Sequence, residues 1–274
     1  YYTSNGVRFE LVALSVDQLT PWSGPARGGT VVTIAGARLA HAGPLRCSFG
    51  ESPSPSMAMP SWSVPASAHG SDGVRCVSPS LLPTGWSSVE LRSTGATLRS
   101  GGNFFVHAAL YVSALVPPAG PVGGGTRVSL LGASFRASAT LRCRFEASGS
   151  TAVARHVSAH QLECASPPSS GAGARRVEVS ANGQQFSSSG VAFTYRPAAA
   201  VSSVWPVRGP SEGGTPVTVV GSGFSAAAEA SGALLCRFNT TVVPAAYVSE
   251  SAVVCNSTAA AAGYAPLEVS TNGH

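Results

Sequence analysis

Three kinds of residue in this chain have types and spacings that could do chemistry: glycine-rich loops, six cysteines, and a pair of histidines four positions apart. The loops read PWSGPARGGT at 21–30, PPAGPVGGGT at 117–126 and PVRGPSEGGT at 206–215. Clustered glycines let backbone N–H groups cradle a phosphate, but such a loop also needs a lysine followed by Ser or Thr after its last glycine. The chain has no lysine, and its 17 basic residues are all arginine. A loop that returns after 96 residues (30 to 126) and again after 89 (126 to 215) is the turn of a repeating unit, not a single active site. All three copies fit P-x-x-G-P-x-x-G-G-T. The turn residues are Gly24, Pro25, Gly28 and Gly29, then Gly120, Pro121, Gly124 and Gly125, then Gly209, Pro210, Gly213 and Gly214. Here the glycines permit positive φ and tight reversal, while the prolines stiffen the junction.

The cysteines follow the same period. A first one sits in LRCSF, LRCRF and LLCRF, and a second in VRCVS, LECAS and VVCNS, so each repeat holds two. Six cysteines allow 15 pairings. One pair per repeat is the simplest of them: Cys47 with Cys76, Cys143 with Cys164, and Cys236 with Cys255. A zinc site is the competing chemistry, and it lacks both a C-x-x-C and a regularly placed histidine beside each cysteine pair. His156 and His160 would share one face of a helix, but RHVSAHQLEC reads as strand and loop, so no metal is expected there. Nothing else has the form of a catalytic centre. There is no G-x-S-x-G, the absence of lysine excludes Schiff-base chemistry, and the only aspartates are Asp17 and Asp72, too few for calcium sites between domains. The expectation is a non-enzyme with no cofactor.

Disulfides that persist place a protein in an oxidising compartment, at the cell surface or outside the cell. Two sequons agree with that address: Asn239 in NTT and Asn256 in NST. The run Ser52, Pro53, Ser54, Pro55, Ser56 reads as an insertion in a loop, with the composition of an O-glycosylated segment. The net charge of +5 invites an acidic partner, yet the arginines are scattered and Arg175-Arg176 is their one adjacent pair. Nucleic acid is therefore not the expected partner. No apolar run approaches the roughly 18 residues of a membrane helix, so any membrane contact would come through other segments.

The elements that must position these residues are short strands. After each Gly-Gly-Thr comes VVTIAG, RVSLLG or PVTVVG, closed by a glycine, with a large apolar residue three positions on at Leu39, Phe135 or Phe224. Apolar residues flank each first cysteine at plus and minus two, so the three side chains share one face of a strand. Each unit ends in SVELRSTG, RVEVSANG or PLEVSTNG, where alternation running into Asn-Gly or Thr-Gly reads as a strand entering a hairpin turn. Helical periodicity is absent. Strands punctuated by turns every ten residues or so predict antiparallel sandwiches. YTSNGVRF near the start repeats the phase of EVSANGQQF and of LEVSTNGH, so the chain is expected to be a portion of a longer one. Missing lysine and a single isoleucine, Ile34, point to GC-rich coding.

In this order, the glycine turn, the glycine-ended strand, C-R-F, L-x-C and V-x-V-S-x-N-G resemble the IPT/TIG domain, the immunoglobulin-like fold shared by plexins and transcription factors. The resemblance covers nearly the whole chain in three copies; the first departs most, with a longer middle loop and Thr94-Gly95 in place of Asn-Gly. It implies an all-β chain of tandem early-set immunoglobulin-like sandwiches, each with one intradomain disulfide. The expected boundaries are the end of a preceding repeat at 1–13 and then domains at 14–108, 109–197 and 198–274. Paired cysteines mark the extracellular branch of the family, and no catalysis is implied. The resulting expectation is a structural or adhesive array of a secreted or cell-surface glycoprotein, with other protein chains or neighbouring domains as partners and glycans as a further class. GC-rich coding narrows it to a ciliary or surface filament of a green alga, like a mastigoneme. Its rivals are a plexin-like receptor stalk, a carbohydrate-binding or spacer module of a larger enzyme, for which Trp22, Trp62, Trp86 and Trp205 would supply stacking surfaces, and an intracellular dimer with free thiols; Trp22 and Trp205, just before the glycine turn, are instead expected to pack between neighbouring modules.

Overall fold

A computed structural model describes residues 15–37, 39, 44–50, 62–93, 96–146 and 151–273. The segment 1–13, the run Ser52–Ser56 and Thr94-Gly95 lie outside them. The chain divides into two compact units, one of residues 1–109 with the turn Ala181–Gln185, the other of Leu110–Ser180 and Phe186–His274.

In unit 1, two sheets carry the first repeat. One orders Gln18–Thr20, Val31–Ala35, Gly73–Val77 and Ser67–Ala68; the other orders Ser23–Pro25, Ala96–His107, Gly85–Ser93, Leu45–Phe49 and Trp62–Pro65. Alternation decides which side chains go in. Val32 and Ile34 point into the core while Val31 and Ala35 face out, as a period of two requires. The core gathers Leu39, Phe49, Val89, Leu91, Phe104 and both cysteines.

Unit 2 holds the second and third repeats. The second repeats the plan strand for strand: Tyr111–Val116, Arg127–Ala133, Gln161–Ala165 and Arg155–Ser158 against Ala119–Pro121, Ala192–Arg196, Gly173–Ser180, Arg142–Phe145 and Thr151–Val153. In the third, the long strand Thr241–Ser249 passes through both faces. Its first half pairs with Leu235–Phe238 and its second with Ala252–Asn256, which joins the strands into a single six-stranded sheet. Leu267–Ser270 pairs with Leu235–Phe238 at the end of that sheet's order.

The glycine that closes each strand is explained by close approach. A Cβ on Gly132 would lie 1.9 Å from the Tyr111 carbonyl oxygen and 2.7 Å from the ring of Phe135, and one on Gly221 would lie 1.9 Å from Ala200 O and 2.9 Å from the ring of Phe224. A side chain there would expel both the edge strand and the aromatic anchor three residues on. One element departs from the strand-only expectation. The alanine-rich segment Ala226–Ala230 forms a single helical turn, because alanine has the highest helix propensity and Ala228 packs into the core.

Candidate functional site

The cysteine pairs Cys47–Cys76, Cys143–Cys164 and Cys236–Cys255 are disulfide-bonded. In the first two repeats each bond ties one sheet to the other, since its two cysteines stand on strands of different sheets. All six are 2% exposed or less.

The glycine loops have one conformation, built three times. The Gly-Gly pairs have φ of 75° and 81° at Gly28 and Gly29, 77° and 78° at Gly124 and Gly125, and 82° and 79° at Gly213 and Gly214. The first glycine of each pair donates its N–H to the proline carbonyl three residues earlier, at 2.9, 3.0 and 3.1 Å. The second donates to the backbone of Ser78, Ser166 or Ser257 at 2.9, 2.8 and 2.8 Å. That serine also accepts the threonine N–H on its Oγ, at 3.0 Å for Thr30, 3.1 Å for Thr126 and 3.0 Å for Thr215. Its own N–H returns to the threonine carbonyl at 2.8 Å in all three. The serine is always two residues after the second cysteine, so the disulfide strand carries the clamp of the loop. Reading the sequence motif by motif missed this partner, although the C-x-S signal recurs in every copy. The N–H groups of the loop are thus spent on the protein itself, and the geometry opposes a phosphate cradle.

The two glycines of a pair should respond differently to alanine. Both occupy left-handed backbone, which costs about 1 kcal/mol with a Cβ. A Cβ on Gly124 would also stand 2.6 Å from Pro168 N and 2.7 Å from Pro167 C, while on Gly125 its nearest neighbour is at 3.6 Å. Gly124→Ala is expected to cost roughly 2–3 kcal/mol and Gly125→Ala about 1 kcal/mol, read from urea midpoints. Equal costs would show that the crowding is relieved by movement of the loop.

Asn-Gly does not lead into a tight hairpin in the second repeat. Strand Gly173–Ser180 pairs with Ala192–Arg196 only after a longer excursion, because Asn182 Oδ1 accepts the N–H groups of Gln184 and Gln185 at 3.0 and 3.2 Å and curls the chain into its own turn. In the first repeat, by contrast, Ser93 pairs directly with Ala96.

Of the other predicted residues, Asn239 lies in the turn between Leu235–Phe238 and Thr241–Ser249, at φ 54°, and Asn256 ends its strand; both are exposed. His156 is on the strand Arg155–Ser158, and His160 lies in the turn that follows, donating Nδ1–H to Gly132 O at 3.1 Å. Among the described residues no three of His, Cys, Asp or Glu converge as metal ligands. Trp22 stacks on Trp86 with ring centroids 5.9 Å apart, and Phe105 packs edge-on to Trp86 at 5.1 Å, which leaves an aromatic patch with Trp86 63% exposed. Trp62 packs against the first core, and Trp205 is exposed. The third repeat has an open cavity of about 630 Å³ lined by Val201, Leu235, Val242, Leu267 and Val269 with Arg237 and Glu268, and these last two form an ion pair with each other. It is a groove along the strand Leu267–Ser270, with the Glu268 carboxylate held by Arg237. Among the described residues no helix is long and apolar enough to cross a membrane.

Tyr195 is nearly fully buried and donates its hydroxyl to Pro167 O at 2.7 Å. Burial raises its pKa above the ordinary 10.0, with Ser166 and Arg175 pulling the other way. As pH climbs through about 10, the unfolded chain gives up this proton before the folded one does, so the contribution of Tyr195 to stability is complete below that point and falls above it. The loss in unfolding free energy between about pH 8 and pH 11 should be larger in the native chain than in Tyr195→Phe, and identical losses would remove the effect.

Comparison with known proteins returns one family three times. The IPT/TIG domain family model matches residues 14–106, 110–195 and 199–274. Human Fibrocystin-L is 37% identical over 123 residues, which are 42% of this chain and 3% of that protein. The full extracellular region of Plexin A4 superposes with a TM-score of 0.59 at 17% identity, covering 96% of this chain and 22% of that one, a likeness of fold alone. The chain thus spans a small part of each relative.

Proposed function

The chain belongs to the IPT/TIG domain family, and on that premise we propose that it is a non-catalytic extracellular array, a structural or adhesive part of a longer secreted or cell-surface glycoprotein. The observation that carries this reading is the recurrence of one buried disulfide in every repeat, a device that requires an oxidising compartment. Its partners are other protein chains or neighbouring repeats, and its domain junctions fall at 108/109 and 197/198. Exposed Asn239 and Asn256 carry N-linked glycans, and Ser52, Ser54 and Ser56 are sites for O-linked sugar. The finer proposal is a ciliary or surface filament of a green alga, supported by a composition without lysine.

Peptide mapping of the native protein by mass spectrometry, unreduced and then reduced, tests it. Three disulfide-linked peptide pairs and glycan mass at Asn239 or Asn256 are expected. Free thiols without sugar would overturn the extracellular reading in favour of an intracellular dimer. A second reading, a carbohydrate-binding module, is favoured by the Trp22, Trp86 and Phe105 patch, since aromatic faces stack on sugar rings. It requires binding to a polysaccharide array that disappears in Trp86→Ala. A third, a receptor stalk, draws on the likeness to the Plexin A4 extracellular region.

A further inference from the structure

The Gly-Gly-Thr loop spends its N–H groups on its own clamp and leaves acceptors, a carbonyl or the threonine hydroxyl, open to donors from elsewhere. In two of three copies an Asn-Gly turn uses them. In unit 1 the turn Ala181–Gln185 lies on the first loop: Asn182 Nδ2 donates to Ser23 O and Thr30 Oγ1, each at 3.2 Å, and Gln185 Nε2 donates to Gly29 O at 2.8 Å. Gln184 completes the contact by bonding both the N–H and the carbonyl of Val31, each at 2.9 Å. In unit 2, Asn272 Nδ2 donates to Gly124 O of the second loop at 3.1 Å, while Asn272 Oδ1 accepts the Ser270 hydroxyl at 3.0 Å. Both asparagines stand at the same place in the repeat, in S-A-N-G and S-T-N-G. In both, the amide nitrogen faces the loop and the amide oxygen braces its own turn. Asparagine offers a donor and an acceptor on separate atoms of one rigid amide; aspartate keeps the acceptor and loses the donor.

The third loop, Gly209–Thr215, has the same φ values, the same proline and serine hydrogen bonds, and the same threonine. We propose that it is a docking site for the Asn-Gly turn of a further immunoglobulin-like repeat, and that the Gly-Gly-Thr loop and the Asn-Gly turn are the two halves of a recognition surface that links repeat to repeat. The proposal rests on the reading of the chain as an array, and names the contact by which such an array is joined. The recurring motif of each repeat is thereby split in function: its N–H groups hold the loop together, and its acceptors hold a neighbour.

The test uses the full 274-residue chain, labelled with nitrogen-15, and a synthetic peptide of residues 179–187 with Val179→Cys and Ser187→Cys. These two positions already hydrogen-bond to each other, Ser187 N to Val179 O at 2.8 Å, so a disulfide between them closes the turn as it stands. Titration is expected to shift the amide signals of Gly213, Gly214, Thr215 and Ser257, and the same peptide carrying Asn182→Asp is expected to bind at least about tenfold more weakly, as loss of one buried donor implies. Equal shifts with both peptides, shifts confined to other residues, or none at millimolar peptide would overturn the proposal. A second arm needs no peptide: Asn272→Asp in the full chain should speed amide exchange at Gly124 and Gly125 severalfold while the rest of the second repeat keeps its protection, and unchanged exchange in the folded variant would equally overturn it. Free thiols in the mapping experiment would remove the extracellular address and leave these results standing, so the two readings fail separately.

Discussion

Replacing Cys143 and Cys164 together by alanine is expected to lower the unfolding free energy of the second repeat by about 3 kcal/mol. The bond closes a loop with a sequence separation of 21, and the chain-entropy cost of leaving a loop of that size open in the unfolded ensemble is about 3 kcal/mol at 25 °C. Both cysteines are buried in the core, at 0% and 2% exposure. Alanine at each fills most of the space, so the larger part of the effect belongs to the unfolded state. Changing both residues matters, because a single replacement would leave a reactive thiol that confuses the measurement. Urea unfolding followed by tryptophan-independent far-ultraviolet circular dichroism gives the comparison, and a midpoint within error of the parent would mean that the bond constrains nothing the sandwich does not already constrain. The Cys47–Cys76 and Cys236–Cys255 pairs, with separations of 29 and 19, should cost nearly the same, since the entropy grows only with the logarithm of loop length.

Phe193→Ala should cost more, about 3–5 kcal/mol, the range for deleting a buried aromatic side chain. The ring is fully buried, packed edge-on to Phe145 at 5.6 Å and to Tyr195 at 5.1 Å. Its far end comes within 2.9 Å of the place where a Cβ on Gly120 would stand, so the glycine of the turn and the phenylalanine of the last strand are fitted to one another. Removal of the ring leaves a void beside Phe145, Tyr195 and the Gly120–Thr126 turn, whose Thr126 is held by the serine clamp. The first repeat builds the same fit from Gly24 and Phe104, at 2.7 Å. A loss below about 1 kcal/mol would show that the surrounding rings close over the gap. The same variant should unsettle the loop whose Gly124 carbonyl receives Asn272, and thus link core packing to the docking surface.

These two effects differ in how far they could be foreseen. The cysteine pairs follow from a count and a period: two per repeat, each on an alternating strand, so one pair per repeat is the simplest arrangement once the repeat is seen. The fold class follows for the same reason. Val32 and Ile34, or Val217 and Val219, state their own burial through a period of two, and the glycines and prolines between strands state where the chain must turn. The fit of Phe193 to Gly120 is another matter, because 73 residues separate them (120 to 193) and neither residue's neighbours carry a mark of the other. The alanine-rich turn at Ala226–Ala230 was hidden differently: five residues are too few to display a helical period.

The amino-acid sequence by itself determined the repeat, its phase and most of the strands, and made one disulfide per repeat the simplest pairing of the cysteines. Each is a local pattern, written within a few residues or repeated at a constant interval, and local sterics and alternation are enough to read it. The tertiary structure alone decided what the turns are for. Ser78, Ser166 and Ser257 become clamps, and Asn182 and Asn272 become ligands of a loop, only when the fold brings together groups that lie 40 to 159 positions apart. A hydrogen-bond donor looks the same in sequence whether it faces water or a partner, and its partner is chosen by the packing of whole sheets.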